Sequence, residues 1–580
     1  MEKFNFTING CTVEAVQGET IMQAAKRAGV DIPRLCYTEM SNTGVTIKPV
    51  TCRVCEVEII ADGGEAKIMA ACVAPAKAGL TVHTKSKAAV AARKQRVENL
   101  LADHPQDCLA CSRNLNCELQ TLASDLGIRK INKGDRNNYP IDESSPSIVR
   151  DPNKCVLCKR CEAVCSKVQT VNALECKKGE PVVDTRTGKA MGNTDCVNCG
   201  QCTVVCPTAA LTIKDDTQRA WDLLNDPNKF VVVQIAPSVR SGIGEMFGLG
   251  IGVDGEKKLV AGLRQLGFDK VYNTNFSADL TIMEEGTELI ERVTKGGTLP
   301  LITSCCPGWV KFAETEYPDL LDHVSSCKSP QEMFSAVAKT YMPTKLGVDP
   351  SKMVCISIMP CTAKKYEAAR PEFKGNTDLV LTTQEIGWML KQAGINLATI
   401  EDGKFDAHFA EAAGAGEIFG ATGGVCEAAL RTVYEVVTGE TLASVDFEVL
   451  RGFEGSAIKT ATVKVGDLDV KVAVAHELRN ARVLMDELRA GTSPYHFIEI
   501  MACPGGCVNG AGQPSACSST DTVAARRDVL YTSDKNNKLR KSHENPEIKA
   551  LYDEFLGSPY HGENAHKLLH TTYTKRNKDA

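Results

Sequence analysis

Three short cysteine-bearing segments in the second half of the chain have the residue types needed to hold an iron–sulfur cluster. Residues 303–309 read Thr-Ser-Cys-Cys-Pro-Gly-Trp, residues 359–365 read Met-Pro-Cys-Thr-Ala-Lys-Lys, and residues 501–507 read Met-Ala-Cys-Pro-Gly-Gly-Cys. None of them has the C-x-x-C spacing that ferredoxin and zinc sites use. Together they can nevertheless present four thiolates, from three distant parts of the chain, to a single cluster.

Two earlier segments have the cysteine spacing of paired cubane clusters. They read Cys155-x2-Cys158-x2-Cys161-x3-Cys165 and Cys196-x2-Cys199-x2-Cys202-x3-Cys206-Pro207. In this pattern the first three cysteines bind one [4Fe–4S] cluster and the fourth binds the other. We therefore predict one cluster on Cys155, Cys158, Cys161 and Cys206, and a second on Cys196, Cys199, Cys202 and Cys165. This internal repeat predicts an α+β ferredoxin-like domain over residues 126–218.

Four cysteines near the N-terminus predict a smaller cluster. Residues 4–8 and 11–16 alternate like a hairpin about Asn9-Gly10, and a helix is predicted from Ile21. The later cysteines, on what resembles a β-grasp pattern, are spaced as in the [2Fe–2S] modules of ferredoxins and complex I: Cys36, Cys52, Cys55 and Cys72. A zinc knuckle is the alternative, but zinc ligands usually come as two close pairs. We assign residues 1–80 to this domain.

A histidine joins three cysteines in the segment 81–125. The spacing is H-x3-C-x2-C-x5-C, formed by His104, Cys108, Cys111 and Cys117. An imidazole and three thiolates can hold zinc or a [4Fe–4S] cluster, and the spacing alone does not separate the two. The position between two iron–sulfur modules favours the cluster, and the arrangement resembles one in the large electron-entry subunit of complex I.

Residues 219–535 predict an α/β domain that positions the three late segments. Apolar runs at 230–235, 299–303, 353–359 and 497–501 read as buried parallel strands, and the last three end at a candidate ligand cysteine. We expect two parallel sheets flanked by helices, with the metal centre in the cleft between them. Residues 250–255 also satisfy G-x-G-x-x-G, but no strand precedes them, so we interpret them as a loop rather than a nucleotide site.

The three late segments together resemble the signatures of the [FeFe]-hydrogenases. By that resemblance, Cys306, Cys361, Cys503 and Cys507 anchor the cubane of the H-cluster, and Cys507 also bridges to a two-iron unit. This unit carries CO, cyanide and an aminodithiolate, and separate maturation proteins make it. The resemblance implies that Lys364 donates to a cyanide ligand. It also implies a pocket that includes Pro237, Ser238, Pro330, Gln331, Met359, Phe419 and Met501.

A proton route is the second implication of the resemblance. Cys305 and Cys306 are adjacent, and consecutive side chains diverge, so one ligates the cubane and the other stays free. In the family the free thiol, here Cys305, relays protons to an internal path. Glu285, Glu288 and Arg292 fall on one face of a predicted helix over 278–293, and Ser325 would complete the path. The alternative for this spacing is a surface row of salt bridges.

Composition limits the remaining choices. The chain has 580 residues, 26 cysteines and a net charge of −5, which gives no basic surface for nucleic acid. Clustered cysteines in a long chain indicate metal ligands rather than disulfides, and so a reducing, oxygen-poor compartment. No secretory signal or apolar run of about 18 residues is visible, so we expect a cytoplasmic protein without a membrane span. Cys327 and Cys517 have no partner spacing and receive no role.

We therefore expect an enzyme that catalyses H2 = 2 H+ + 2 e− reversibly and passes electrons through its N-terminal clusters. The electron partner stays open between ferredoxin and flavin- and NAD(P)-binding partner subunits. The segment 111–119 resembles the catalytic subunits of NAD(P)-linked or electron-bifurcating assemblies more than it resembles stand-alone ferredoxin enzymes. Residues 536–580 resemble the separate small subunit of some hydrogenases. The competing hypotheses are a complex-I-type electron-transfer subunit, which would lack the late signatures, and a non-catalytic iron–sulfur or sensory relative, against which Cys305 speaks.

Overall fold

The structure is a computed structural model that describes residues 2–61, 63–131, 134, 138–452, 454, 457–514 and 519–576. Cys517 lies outside the described residues. Among the helices within these ranges, none combines the length and the apolar character needed to cross a membrane.

The N-terminal domain is built on a five-stranded sheet. From one edge to the other its strands are Cys11–Val16, Lys3–Ile8, Thr81–His83, Glu56–Ile60 and Lys67–Ala70. The predicted hairpin is present, and its first strand pairs in parallel with Thr81–His83. Helix Ile21–Arg27 begins at a capping box in which Thr20 and Gln23 bind each other's backbone. A separate two-stranded pair, Thr38–Met40 with Val45–Ile47, lies between Cys36 and Cys52.

Short elements hold the next cysteines. Helices Lys87–Ala102 and Glu118–Asp125 flank the segment with His104 and the three cysteines. In the repeat that follows, strand Ile148–Arg150 pairs antiparallel with Leu211–Ile213, and Leu174–Glu175 pairs with Asp184–Thr185. Helices Arg160–Lys167 and Gln201–Val205 each start from a residue in the left-handed conformation, Lys159 and Gly200. The two halves of the repeat therefore share one local geometry.

The first catalytic sheet is fully parallel, as predicted. Its strand order is Lys270–Asn273, Phe230–Ile235, Met353–Met359 and Leu379–Thr382. One face is covered by helices Thr217–Leu224, Arg240–Ile243, Glu256–Leu266 and Thr383–Gln392. The other face packs against helices Thr274–Lys295 and Pro330–Thr340. Residues 250–255 form a loop before helix Glu256–Leu266, so the prediction that this glycine motif is a loop is confirmed.

The second catalytic sheet differs from the prediction at one edge. Its order is Leu301–Ile302, Phe497–Met501, Leu468–His476 and Ile458–Val465, and the first three strands are parallel. Ile458–Val465 is antiparallel to its neighbour, so the predicted parallel sheet has an antiparallel edge strand that the sequence did not indicate. Only two residues join the last two strands, and so short a connection can only make a hairpin.

One long helix lies between the two catalytic sheets. Thr274–Lys295 packs its residues Ala278, Ile282 and Leu289 against the second sheet and Phe276 and Leu280 against the first. Helix Gly424–Thr438 shares the inner face of the second sheet, and helices Pro307–Glu316 and Leu478–Arg489 cover its outer face. Side chains on the central helix can therefore reach the cleft between the sheets.

The C-terminal segment wraps this core. After helix Thr520–Asn536, it forms Pro546–Leu551, a π-helical turn Tyr552–Leu556 and helix Glu563–Leu569. Ile548, Leu551 and Leu569 are buried against helices Thr274–Lys295 and Pro330–Thr340. The remaining helices are short: Met342–Leu346, Ala363–Ala368 and Gly414–Glu417.

Candidate metal and catalytic centre

The four late cysteines line one partly open cavity with about 470 Å³ of empty space. Cys306 immediately precedes helix Pro307–Glu316, Cys361 follows strand Met353–Met359, and Cys503 follows strand Phe497–Met501. Cys507 lies in the tight loop after Cys503, where Gly506 has φ of 98° and a side chain would collide with the backbone of Ala421 and Thr422. Strands from both sheets thus end at the same cavity.

The electrostatics of this cavity suit a cationic core. Burial raises the pKa of Cys361 to about 12, with a further contribution from Cys306. Burial also raises the pKa of Cys503, and repulsion from Cys361 and Cys507 adds to it. Four thiolates this close are unfavourable unless positive metal ions join them. Among the residues that the structure describes, none in this lining is a carboxylate or an imidazole, and thiolates as the metal-binding groups fit an iron–sulfur cubane.

A second cavity, of about 490 Å³, adjoins the first through Cys305, Cys361, Lys364, Phe419 and Cys507, which line both. Most of the predicted pocket residues line this second cavity: Pro237, Ser238, Pro330, Gln331, Met359 and Phe419. Met501 lines the first cavity instead. The wall combines apolar side chains with a few donors, as pockets for a prosthetic group usually do.

A buried ammonium is fixed between the two cavities. Lys364 Nζ donates to the Cys305 carbonyl oxygen at 3.0 Å and to the Glu367 carboxylate at 2.8 Å. Ser329 Oγ, at 2.9 Å, and Gln331 Nε2, at 3.1 Å, also donate to that carboxylate. Burial opposes the charged form, but Glu367 outweighs it and holds the pKa of Lys364 above its usual value. Glu367 belongs to no cysteine motif and was not predicted as a site residue. Its i, i+3 spacing from Lys364 is the sequence signal that could have indicated the ion pair.

The predicted proton-path residues lie together beside Cys305. Burial, and then repulsion from Glu288, raise the pKa of Glu285 to about 8, and Ser325 also hydrogen-bonds to this carboxyl. Ser325 Oγ donates to Glu288 at 2.9 Å, and Arg292 donates to Glu288 at 2.6 Å. Glu285 is in turn the strongest charged neighbour of the half-buried Cys305 thiol.

This arrangement is not a row of surface salt bridges. Glu285 and Glu288 are each only 1% exposed. Arg292 is half-buried and also reaches the carbonyl oxygens of Thr298 and Asp322. Of Glu285, Glu288 and Arg292, only Arg292 therefore approaches solvent.

Comparison with known proteins identifies the family of the chain. The family model of the iron only hydrogenase large subunit, C-terminal domain, matches residues 229–511. The chain is 46% identical, over its whole length and that of the relative, to the NADP-reducing hydrogenase subunit HndD of Solidesulfovibrio fructosivorans. It is 40% identical to iron hydrogenase 1 of Clostridium pasteurianum, covering 98% of this chain and 99% of the relative. This chain belongs to the [FeFe]-hydrogenases.

As an [FeFe]-hydrogenase, the protein is an iron hydrogenase that interconverts H2 with protons and electrons and relays the electrons through iron–sulfur clusters. A solved structure of a variant of the [FeFe]-hydrogenase HydA1 from Chlamydomonas reinhardtii is 43% identical, with a TM-score of 0.56. The match covers 62% of this chain and 99% of the solved one. The competing hypotheses of a complex-I-type subunit and of a non-catalytic relative are therefore not supported.

Further family models match the flanking segments of this hydrogenase. A 2Fe-2S iron-sulfur cluster binding domain matches residues 1–87, and the NADH-ubiquinone oxidoreductase-G iron-sulfur binding region matches residues 93–132. The iron hydrogenase small subunit matches residues 520–576. That match begins ahead of residue 536, because it includes helix Thr520–Asn536.

The structure places the cysteines of the two repeated motifs in two groups, each of which takes its fourth member from the other motif. Cys155, Cys158, Cys161 and Cys206 line one cavity of about 440 Å³. Cys165 instead lies near Cys196, Cys199 and Cys202, so that the charges of these thiolates would repel one another. Cys199 also lines the central cavity, and Gln201 Nε2 donates to Cys503 Sγ at 3.5 Å. The second accessory site therefore directly adjoins the catalytic one.

The N-terminal ligands are also brought together. Cys36, Cys52, Cys55 and Cys72 are all buried, and the Cys36 amide donates to Cys52 Sγ at 3.3 Å. In the next segment, Cys117 has Cys108 and Cys111 as electrostatic neighbours, and Cys108 is exposed. His104 is half-buried in the same loop, two residues beyond helix Lys87–Ala102.

Proposed function

We propose that Cys306, Cys361, Cys503 and Cys507 hold the cubane of an H-cluster and that the adjoining cavity receives its two-iron unit. This proposal is supported by the convergence of these thiols on one cavity, whose described lining residues include no carboxylate and which adjoins a second cavity at Lys364. When bound, the group supplies the open metal position and the pendant base that split H2. Cys507 lines both cavities and would bridge the two parts.

The protein's own residues orient the group and move the proton. Lys364 would present its ammonium to a cyanide ligand, while Ser238, Pro330, Gln331, Phe419 and their neighbours exclude water. The Cys305 thiol would pass a proton to Glu285. Ser325 would then link Glu285 to the buried Glu288, and the half-buried Arg292 would extend the path from Glu288 toward solvent. A carboxyl with a pKa near 8 exists in both protonation states close to neutral pH, which suits a relay.

We further propose one [2Fe–2S] cluster and three accessory [4Fe–4S] clusters. The [2Fe–2S] cluster would lie in a β-grasp domain over residues 1–80, and the histidine-ligated cluster in the segment 81–125. The remaining two would lie in a ferredoxin-like domain over 126–218, ahead of the catalytic domain, 219–535, and the small-subunit-like segment, 536–580. The buried cysteine groups and the crossed ligand sets support this count.

For the electron partner we propose flavin- and NAD(P)-binding subunits rather than ferredoxin alone. The similarity over the full length to a subunit of an NADP-reducing hydrogenase supports this choice. We also propose a cytoplasmic location, since the cysteines within the described ranges form no disulfide. Purification from the native cells would distinguish the partners: NADP+ reduction with H2 requires a co-purifying flavoprotein, whereas a chain purified alone that reduces only ferredoxin would contradict this proposal.

The experiment that tests the central assignment is anaerobic production with the hydrogenase maturation proteins. We expect infrared bands of iron-bound CO and cyanide together with H2 evolution from a reduced dye. Cys503→Ala should abolish both, while the exposed Cys11→Ala should leave both unchanged. Retention of the infrared bands and of activity in the Cys503 variant would contradict the proposed ligand set.

A further inference from the structure

A buried lysine lies beside the two innermost metal sites. Helix Pro307–Glu316 starts directly after Cys306, and its first turn packs against the loop 197–199. The approach is close, because a Cβ on Gly308 would lie 3.8 Å from the Cys199 Cβ and 3.6 Å from the Val197 carbonyl oxygen. One turn further along the helix, Lys311 is only 9% exposed. The helix therefore places the Lys311 side chain near the loop that contains Cys196 and Cys199.

Three negatively charged groups and one aromatic ring lie around Lys311. Its Nζ lies 4.8 Å from the ring centroid of Tyr366, whose π face favours the ammonium form. Burial and the Arg576 guanidinium lower the pKa of Lys311, and its negative neighbours, Cys196, Asp195 and Glu314, oppose this. The Glu314 carboxylate already receives two hydrogen bonds from Arg370, at 2.7 and 3.0 Å, and one from Arg576, at 2.7 Å. Two guanidinium groups thus compensate Glu314, whereas Lys311 is the charged neighbour that favours the thiolate form of Cys196.

We propose that the Lys311 ammonium sets the reduction potential of the [4Fe–4S] cluster held by Cys165, Cys196, Cys199 and Cys202. The proposal rests on the cluster assignment made under the proposed function. The cluster takes up one electron on reduction and gains one negative charge, with no bond formed or broken. A positive charge beside a ligand stabilises the reduced form, and the effect is strong where burial keeps the local dielectric low. Lys311 therefore raises the potential of this cluster.

The position of the cluster gives this effect a consequence for turnover. Cys199 lines the central cavity together with the four catalytic ligands, so this cluster is the first electron acceptor outside the H-cluster. A higher potential at this point favours the departure of electrons from the active site. Lys311 thus favours H2 oxidation relative to H2 evolution.

The test is a redox titration of the matured holoenzyme, followed by electron paramagnetic resonance. Lys311→Met and Lys311→Gln remove the charge, and Lys311→Arg keeps it. Lys328→Met is the matched control, because Lys328 is also a buried cation, at 8% exposure, whose Nζ binds the Leu568 carbonyl oxygen. We expect the midpoint of one reduced [4Fe–4S] component to become more negative in the Met and Gln variants. It should stay near the wild-type value in the Arg variant and in the control.

An unchanged midpoint in both neutral variants overturns the proposal, as does an equal shift in Lys311→Arg or in Lys328→Met. Loss of iron from both neutral variants, with full iron in the Arg variant, overturns it too, since the charge would then be needed to hold the cluster. Failure of the proposed function would look different. In that case the wild-type protein itself would lack the [4Fe–4S] signals or the infrared bands of CO and cyanide.

Discussion

Lys364 and Glu367 form a buried ion pair, with 2.8 Å between Nζ and Oε2, one turn apart on helix Ala363–Ala368. The pair joins the segment after Cys361 to the start of helix Pro330–Thr340, because Ser329 and Gln331 donate to the same carboxylate. The ammonium is thereby aimed at the Cys305 carbonyl oxygen. Glu367 is a positioning residue: it fixes the orientation and the charge of Lys364 without itself lining either cavity.

Glu367→Gln should therefore lower both stability and turnover. Removing one partner of a buried pair typically costs about 3–5 kcal/mol, because the other charge stays buried. We expect a clear fall in the thermal unfolding temperature and at least a roughly tenfold loss of H2 evolution. Glu291→Gln is the control, since its partner Lys295 is exposed and such surface pairs contribute about 0–1 kcal/mol. Equal unfolding temperatures in the two variants would contradict this role for Glu367.

Cys305→Ala should leave every cluster assembled but stop most turnover. Cys306 remains available as the cubane ligand, whereas the thiol next to Glu285 is lost. A positioned proton donor contributes roughly 10²- to 10⁴-fold to rate, and we expect a loss in that range. Iron content and infrared bands report assembly, and H2 evolution reports turnover. Hydrogen evolution at the wild-type rate would refute the relay.

The buried Glu285 carboxyl predicts a pH-dependent stability difference. Its pKa is raised to about 8 in the folded protein, from an ordinary value of 4.5. Between these two values the unfolded chain loses this proton while the folded protein keeps it, so folding becomes less favourable as pH rises. Glu285→Gln removes this contribution. The unfolding temperature of the variant minus that of the wild type should therefore increase from pH 5 to pH 8; a difference that is flat or falls over this range would contradict the raised pKa. Glu440→Gln, at an exposed position, serves as the control.

The sequence was sufficient to predict the features that depend on residues close together in the chain. The spacing of Cys155 to Cys165 and of Cys196 to Cys206 predicts the crossed ligand sets. In this spacing the fourth cysteine of each motif reaches the cluster of the other motif. The antiparallel strand Ile458–Val465 was missed, since its register depends on a two-residue turn rather than on apolar content. Lys311 and Gln201 were also missed. Their roles depend on contacts between segments far apart in the chain, which no spacing records.

His104→Ala should affect one cluster alone. His104 and the three cysteines that follow lie between helices Lys87–Ala102 and Glu118–Asp125, and Cys111 and Cys108 are the charged cysteine neighbours of Cys117. We expect the electron paramagnetic resonance signal of a single [4Fe–4S] cluster to change or disappear. The [2Fe–2S] signal and the infrared bands of the active site should stay unchanged. Release of zinc instead of iron from the variant would show that this loop is a zinc site.

Gly200→Ala should weaken the contact between the accessory domain and the catalytic domain. Gly200 has φ of 69°, and a Cβ there would lie 2.4 Å from Thr362 Oγ1 and 2.5 Å from the Ala511 Cβ. Thr362 Oγ1 also donates to the Asn198 carbonyl oxygen at 2.8 Å, so this contact fixes the cysteine loop next to Cys361. Both the strained backbone and the collision should destabilise the protein, by roughly 1–3 kcal/mol for the overpacking alone.

The matched control for this substitution is Gly188→Ala, because Gly188 has a similar φ of 72° but open space around the added Cβ. Both variants carry the backbone strain, and only Gly200→Ala displaces the loop between the two innermost metal sites. We therefore expect slower H2 oxidation only in Gly200→Ala when the electrons must leave through the accessory clusters. Stopped-flow reduction of those clusters by H2 measures this step directly, and equal reduction rates in the two variants would show that the contact at Thr362 does not limit electron transfer.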